Sequence, residues 1–168
     1  KTHCASLVSK CFSIAKEEEK LFGDSFAKTA VGSYGEMIAS ETSMFLTQCS
    51  YSESVRTLSC IGMICVCDDE RGYIWLVDAT GAYNVRAHAI GMGASTINQR
   101  LTLLDFAELN HKEGITKLFS ILQKDEKATK ETGPGWSLPP KARVEVAFVN
   151  KKSRRMERVK SSEISINS

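Results

Sequence analysis

The first 50 residues contain two stretches in which apolar side chains recur at helical spacing. Residues 5–20 carry one apolar stripe opposite a face of Lys and Glu, which predicts an amphipathic helix. Residues 21–24, Leu-Phe-Gly-Asp, predict the end of this helix and a turn. Residues 30–48 repeat the spacing and predict a second helix, whose stripe consists of Val31, Tyr34, Ile38, Glu41 and Phe45.

From residue 58 onwards, the apolar residues no longer recur at helical spacing and follow a pattern typical of strands. Residues 58–67, LSCIGMICVC, are almost continuously apolar, which is typical of a strand that is buried on both faces. Two further apolar runs, 73–77 and 82–90, follow after the short polar turns 68–72 and 78–81. Because turns of this length join neighbouring antiparallel strands, the sequence predicts a three-stranded antiparallel meander.

A helical pattern returns after residue 93. Residues 94–109 predict a third helix with Ser95 as its N-cap, and the apolar positions of 115–122 predict a fourth. Residues 125–141 are polar, contain all three prolines and predict a surface loop. Two strands are predicted to follow, over residues 142–150 and 156–159.

Paired helices that alternate with antiparallel strands define a layered α+β fold. No internal repeat interrupts this order, and 168 residues fit one domain. We therefore expect residues 1–168 to form a single domain, with residues 151–168 as a charged C-terminal hairpin and tail.

Composition and charge narrow the classes of partner. Hydrophobic residues make up 42% of the chain and charged residues 25%, which is typical of a globular protein. A net charge of +2 does not indicate a polyanionic partner. No apolar run approaches the length that spans a bilayer, and residues 1–11 lack a signal-peptide pattern. These features predict an intracellular protein.

The basic run KKSRRMERVK, residues 151–160, raises the question of a nucleic-acid site. No aromatic residue is interleaved for base stacking. Charge on the edge of a terminal hairpin also discourages unwanted strand pairing. We therefore interpret this run as a solvated hairpin edge.

Six cysteines raise the question of a metal site. Cys65 and Cys67 are predicted to project from the same face of a strand, where Cys60 or His88 could join them. Zinc sites typically combine two pairs of closely spaced ligands, and the sequence has no second pair. Free cysteine is a common small core residue, so core packing is favoured and a metal-binding interaction module stays as an alternative.

Other residues with catalytic chemistry lack partners nearby in the sequence. The histidines His3, His88 and His111 are scattered. Asp105 and Glu108 share a helix face and are interpreted as solvated surface rather than as a catalytic pair. No catalytic, cofactor-binding or metal-binding residue is assigned.

Two glycines, Gly91 and Gly93, stand between the third strand and the third helix. A dinucleotide site would need a third glycine and a parallel strand pair, but position 96 is Thr96 and the strands are predicted to be antiparallel. The sequence also lacks the Gly-Lys-Ser/Thr of a Walker loop. We therefore expect the glycines to let the chain leave the sheet sharply, with the helix packed close to it.

The block DATGAYNVRAHAIGMGAS, residues 78–95, carries a more specific signal. It resembles the α-type subunits of the proteasome, whose pattern runs Asp-Pro-Ser-Gly-x-Tyr and then Lys-Ala-x-Ala-Ile-Gly-x-Gly-Ser. The matching residues are Asp78, Gly81, Tyr83, Ala87, Ala89, Ile90, Gly91 and Gly93. Weaker likeness covers most of residues 4–165, including Ser6 and Leu7 in the first helix and Thr47, Gln48 and Arg56 before the first strand.

The resemblance implies a layered α/β/β/α sandwich of antiparallel sheets, as in N-terminal-nucleophile hydrolases. It also implies a non-catalytic subunit in the outer ring of the 20S proteasome, with roles in assembly, substrate gating and ubiquitin-dependent protein degradation. The implied partners are other α and β subunits and regulatory particles or activators. The implied location is the cytoplasm and nucleus, with no cofactor, nucleic acid or membrane involved.

The chain departs from the family pattern at its beginning. In the family several strands precede the first long helix, whereas here that helix is predicted to start almost at once. The sequence thus predicts a divergent subunit that lacks the usual N-terminal part. We expect these residues alone to be marginally stable or prone to aggregation, since apolar faces would be exposed.

A threonine peptidase of the β type is the alternative that the same resemblance raises. These relatives use an N-terminal threonine as nucleophile, and Thr2 would be freed by removal of Lys1. That nucleophile opens a strand, whereas Thr2 is predicted to lie just before a helix. We therefore interpret Thr2 as a helix-flanking residue.

Overall fold

The structure, a computed structural model, is a mixed α+β protein, as the sequence predicts. It describes residues 2–29, 31–52, 58–68, 70–105, 109–122, 143–150, 153 and 155–159. The described helices are α1 (Thr2–Thr29), α2 (Val31–Tyr51), α3 (Ala94–Leu101) and α4 (His111–Leu122). The described strands are β1 (Gly62–Cys67), β2 (Gly72–Asp78), β3 (Gly81–Val85), β4 (Ala147–Asn150) and β5 (Arg155–Arg158).

The chain forms two compact units, residues 1–86 and 87–168. The first unit contains α1, α2 and the sheet β1-β2-β3. The second contains α3, α4 and the hairpin of β4 and β5. The predicted surface loop at 125–141 and the tail beyond residue 159 lie outside the described residues.

The three strands of the first unit form the antiparallel meander that the sequence predicts. The meander is shorter than predicted at both ends. β1 starts at Gly62 rather than at residue 58, and the Cys60 amide donates to the Leu58 carbonyl (3.1 Å) within the same segment. β3 ends at Val85 rather than at residue 90.

The helix α1 is longer than the sequence predicts. It continues from Thr2 to Thr29, so the stop and turn predicted at residues 21–24 are wrong. Leu21 is 74% exposed and lies on the surface of the helix. A single glycine such as Gly23 costs a helix only about 1 kcal/mol, which the hydrogen bonds on either side of it readily outweigh.

The helices α1 and α2 form an antiparallel hairpin. Two contacts fix its register: the Lys10 ammonium lies 5.5 Å from the centroid of the Phe45 ring, and the Tyr34 hydroxyl donates to the Ala15 carbonyl (2.8 Å). From the first contact to the second, the residue number increases in α1 and decreases in α2, so the helices are antiparallel. Four buried residues, which we call the core cluster, join both helices to the sheet. They are Leu7, Ala39, Leu46 and Val77.

The sheet approaches α2 most closely at Gly35. A Cβ at this position would lie 2.6 Å from Cγ2 of Val66 and 3.2 Å from Nε1 of Trp75. A distance this short requires a neighbour to move, and the β-branched valine has little rotamer freedom. The glycine therefore allows the helix and the sheet to pack at this distance.

We expect Gly35→Ala to lower the free energy of unfolding by about 1 to 2 kcal/mol, since overpacking outweighs the gain in helix propensity. Gly114 of α4 is the matched control, because an added Cβ there meets no described heavy atom within 4 Å. Gly114→Ala is expected to raise the same quantity by about 0.5 kcal/mol. Urea unfolding followed by circular dichroism measures both changes, and equal effects would contradict the close contact.

In the second unit, α3 and α4 pack through Ile97, Leu101 and Ile121. The guanidinium of Arg100 also donates to the Ile121 carbonyl (2.7 Å) near the end of α4. Helix α3 ends at Leu101 rather than at residue 109, because the amides of Leu103 and Leu104 bond three residues back in tight turns.

The caps of the two helices differ in kind. Gly93 occupies the N-cap of α3 in a left-handed conformation, so the prediction of Ser95 as N-cap is wrong. Asn110 caps α4: its side chain accepts from the Glu113 amide (3.0 Å), and the Glu113 carboxylate accepts from the Asn110 amide (3.2 Å). This reciprocal capping box fixes the start of α4.

A ring contact joins the start of α4 to the C-terminal hairpin. The His111 ring stacks on the ring of Phe148 in β4, with 5.0 Å between the ring centroids.

The C-terminal hairpin is shorter than its predicted strands. β4 begins at Ala147, and of the predicted range 142–150 the residues 143–146 are not strand, while residue 142 lies outside the described part. β4 pairs antiparallel with β5, as predicted. The Asn150 side chain donates to the Glu157 carboxylate (2.8 Å) across the pair.

Candidate functional site

The block that carries the family resemblance divides into a turn and a loop. The turn, residues 78–83, joins β2 to β3 in the first unit. The glycine loop, residues 87–93, precedes α3 in the second unit. Each is held by its own set of hydrogen bonds.

The turn is organised around the carboxylate of Asp78. Its Oδ1 accepts hydrogen bonds from the amides of Thr80 (2.7 Å) and Gly81 (3.2 Å) and from the Thr80 hydroxyl (2.5 Å). The Thr80 hydroxyl also lies 3.0 Å from the Tyr83 hydroxyl. Aspartate is favoured in turns because its carboxylate accepts from amides that follow it in the chain. The role of Asp78 here is to shape the backbone.

The end of the Tyr83 side chain lies against Gly81. A Cβ at Gly81 would lie 2.9 Å from the Tyr83 hydroxyl oxygen and 3.0 Å from its Cζ. The tyrosine ring therefore occupies the space that a side chain at position 81 would fill. A side chain at position 81 would therefore require the exposed tip of the Tyr83 ring to move.

The helix α2 holds this turn through two hydroxyl groups. Ser43 donates to the Asp78 carbonyl (2.7 Å), and Thr47 donates to the Ala79 carbonyl (2.7 Å). Both turn carbonyls thereby gain a partner from the helix. Sequence reasoning missed this role, although polar residues four apart beside the apolar stripe of a helix are a signal of such contacts.

The pKa of Asp78 is lowered, chiefly by the hydrogen bond from the Thr80 hydroxyl and also by the amides of Thr80 and Gly81, while burial opposes the shift. A carboxyl whose folded pKa is depressed contributes stability above its unfolded pKa and loses it as pH falls through the folded value. Because solvent screens this partly exposed carboxylate, we expect Asp78→Asn to weaken the turn at neutral pH by no more than about 1 kcal/mol.

The same variant should also flatten the acid side of the stability profile. Chemical unfolding at a series of pH values between neutral and strongly acidic tests this. The difference between the wild type and Asp78→Asn should shrink as the pH falls. A difference that stays constant would contradict the proposed role of the ionised carboxylate.

The glycine loop requires positive φ at two positions. Gly91 has φ 97° and Gly93 has φ 78°, a region that other residues rarely adopt. No described heavy atom lies within 4 Å of a Cβ placed on Gly91, so backbone conformation rather than close packing requires that glycine. Between the glycines, Met92 is 87% exposed.

The backbone of Ala89 is held by the side chain of Asn98 in α3. The Asn98 Oδ1 accepts from the Ala89 amide (2.7 Å), and its Nδ2 donates to the Ala89 carbonyl (3.1 Å). These bonds occupy both backbone groups, which explains why residues 86–90 do not continue β3. Ala87 and Ala89 pack against the cluster of Ile97 and Leu101, so the two alanines that match the family pattern are packing residues.

The sheet of the first unit presents a second apolar face. Its helix-facing side contributes Ile64, Trp75, Val77 and Ala82 to the core. Since side chains alternate along a strand, the register places two rows of apolar residues on the other side. These rows, which we call the outer sheet face, are Met63, Leu76 and Tyr83, and Cys65, Ile74 and Val85. Met63 is 42% exposed and Tyr83 is 47% exposed.

Of the cysteines weighed as metal ligands, Cys65 and Cys67 share one face of β1, as predicted, whereas Cys60 lies on the helix-facing side. Cys60 packs against the core cluster, whereas Cys65 lies on the outer sheet face and is exposed. Among the described residues no three His, Cys, Asp or Glu side chains come together as a metal site. The structure does not bring together the ligands that the metal-binding alternative needs.

The remaining candidate residues belong to both units. Thr2 is the first residue of α1. The His88 ring nitrogen lies 3.5 Å from the amide nitrogen of Asn98. Asp105 is exposed, and Glu108 lies outside the described residues, as does the side chain of His3.

None of the described helices combines the length and the apolar character that crossing a bilayer requires. Comparison of the chain with protein-family models finds no match. Comparison with curated proteins also finds none.

Proposed function

We propose that this chain is a non-catalytic α-type subunit of the 20S proteasome, with its sheet at the centre of a layered α/β/β/α sandwich. The observation that carries the proposal is the outer sheet face. An antiparallel sheet with one solvated side alternates apolar and polar residues, whereas this sheet is apolar on both sides. Such a sheet is suited to lie between a helix layer and a second sheet.

The layer order of the first unit agrees with this proposal. The core joins α1 and α2 to the helix-facing side of the sheet. A second antiparallel sheet stacked about 10 Å away on the outer sheet face would complete the sandwich. Rows formed by Met63, Leu76 and Tyr83 would then interdigitate with the side chains of that sheet.

The block of matching residues supports a structural rather than a catalytic role. The Asp78 carboxylate accepts hydrogen bonds from its own turn, Gly81 lies against the Tyr83 ring, and the two loop glycines set the backbone before α3. Thr2 belongs to a helix rather than opening a strand. The residues that carry the resemblance thus shape turns and loops.

As such a subunit, the chain would contribute to ring assembly, substrate gating and ubiquitin-dependent protein degradation. Its partners would be other α and β subunits and regulatory particles or activators. It would act in the cytoplasm and nucleus.

The proposal is tested by the size of the particle that contains the chain. We expect an affinity-tagged chain, expressed in its native cells, to co-purify with many subunits of similar mass in one large particle that cleaves peptides. Native gel electrophoresis with a fluorogenic peptide overlay measures particle size and activity together. Recovery only as a small protein without peptidase activity would overturn the proposal.

A further inference from the structure

Cys4 of α1 and Cys49 of α2 lie at the same end of the helical hairpin, where α1 begins and α2 ends. Leu7 of α1 and Leu46 of α2 belong to one core cluster, which sets them at the same level of the hairpin. Cys4 lies about one helical turn before Leu7, and Cys49 lies about one turn after Leu46. Because the helices run antiparallel, these equal displacements bring Cys4 and Cys49 to the same level.

A third thiol, Cys60, joins them from the segment that leads into β1. Cys60 packs against the core cluster that contains Leu7 of α1 and Leu46 of α2. Leu7 lies about one turn after Cys4, and Leu46 lies about one turn before Cys49. Burial raises the pKa of Cys60, and the neighbouring thiols of Cys4 and then Cys49 raise it further. The packing thus places Cys60 at the end of the hairpin that carries Cys4 and Cys49.

The three thiols differ in access to solvent. Cys4 is exposed, Cys60 is partly buried and Cys49 is only 5% exposed. An oxidant from solution therefore meets Cys4 first. Cys60 is the neighbouring thiol that can then approach it, and Cys49 is shielded by the helices.

We propose that Cys4 and Cys60 form a reversible disulfide, a redox-sensitive link between the start of α1 and the segment before β1. A hydroperoxide oxidises the Cys4 thiolate to a sulfenic acid and is itself reduced to an alcohol or water. The Cys60 sulfur then attacks the Cys4 sulfur, the S–O bond breaks, and water leaves as the S–S bond forms. A dithiol reductant restores both thiols by disulfide exchange.

The link would stabilise the first unit. A cross-link between residues far apart in sequence removes conformational entropy from the unfolded chain. Here it would tie α1 to the strand that follows α2, so both helices would be held to the sheet. Reduction of the disulfide would return the first unit to the stability that it has without the link.

Peptide mapping of the full chain tests the pairing. Trypsin places Cys4 in peptide 2–10, Cys49 in 29–56 and Cys60 in 57–71 together with Cys65 and Cys67. A variant with Cys65→Ser and Cys67→Ser leaves Cys60 as the single thiol of its peptide. The protein is treated with hydrogen peroxide, alkylated with N-ethylmaleimide, digested without reductant and analysed by mass spectrometry.

We expect the linked pair 2–10 and 57–71 to be the main disulfide of the monomer, to vanish with dithiothreitol, and to be lost in Cys4→Ser and in Cys60→Ser. Fragment-ion sequencing of the wild-type peptide gives the same assignment without the double variant. The control Cys49→Ser should retain the link. The oxidised chain should also unfold at a temperature several degrees higher, and Cys4→Ser should lose this shift.

Three results would overturn the proposal. One is a monomer in which Cys4 proceeds to sulfinic acid without any linked peptide. Another is a main link from Cys49 to either partner. The third is a Cys4–Cys60 link that occurs only between two chains, detected on a non-reducing gel. None of these results depends on whether the chain assembles into a proteasome.

Discussion

Replacing Leu46 by alanine is expected to lower the free energy of unfolding by about 3 kcal/mol, one of the two largest effects that the structure predicts. Leu46 is 0% exposed and joins α2 to α1 and β2 through the core cluster of Leu7, Ala39 and Val77. Removal of its branched side chain loses the transfer free energy of the buried methyl groups and leaves a cavity. Urea unfolding measures the change.

Leu21 of α1 provides the control for this substitution. It is also a helical leucine of the first unit, but it is 74% exposed. Leu21→Ala is therefore expected to change the same free energy by less than about 0.5 kcal/mol. Comparable losses in the two variants would show that Leu46 does not occupy the centre of a packed core.

Replacing Met63 by glutamate is expected to abolish incorporation of the chain into the proposed proteasome particle. Met63 is 42% exposed on the outer sheet face, so a carboxylate there stays solvated in the isolated chain. Beneath a second sheet the same charge would lose its water, which costs several kcal/mol for an unpaired group. Native gels of the tagged variant measure incorporation, and circular dichroism of the isolated chain shows whether it remains folded.

Asn84 is the matched control for Met63. It lies on the same sheet, in β3, and is exposed on the face opposite to Tyr83. Asn84→Glu is expected to leave both folding and incorporation unchanged. If Met63→Glu assembles as well as Asn84→Glu does, the outer sheet face is not covered in the particle and the sandwich proposal fails.

The secondary structure of the first unit was largely predictable because the spacing of apolar residues changes sharply along the chain. Apolar spacing in residues 30–48 predicts α2, and the three apolar runs with short polar turns predict the meander. These signals are local and agree with the tertiary contacts that later form. The antiparallel order of the strands follows from turn length alone.

The ends of elements were less predictable because they depend on contacts that are distant in sequence. Residues 86–90 alternate like a strand, but the side chain of Asn98 takes both backbone groups of Ala89. Gly23 suggested a stop, yet α1 continues through it.

In the candidate site, too, local features could be predicted from the sequence, whereas tertiary contacts could not. Glycines at positions 91 and 93 indicate unusual backbone, and both have positive φ. The contact between Gly81 and the Tyr83 ring is a tertiary detail that periodicity does not supply. The sandwich and the proteasome function depend on the resemblance and on the outer sheet face, and they stay proposals.

The two hydroxyl bonds from Ser43 and Thr47 to the turn have a consequence for dynamics. The amides of Thr80 and Gly81 are bound to the Asp78 carboxylate, while the turn carbonyls are bound to α2. Opening the β2–β3 connection therefore requires breaking contacts with the helix at the same time. In hydrogen–deuterium exchange this connection should behave as one cooperative segment with α2 instead of fraying as surface turns do.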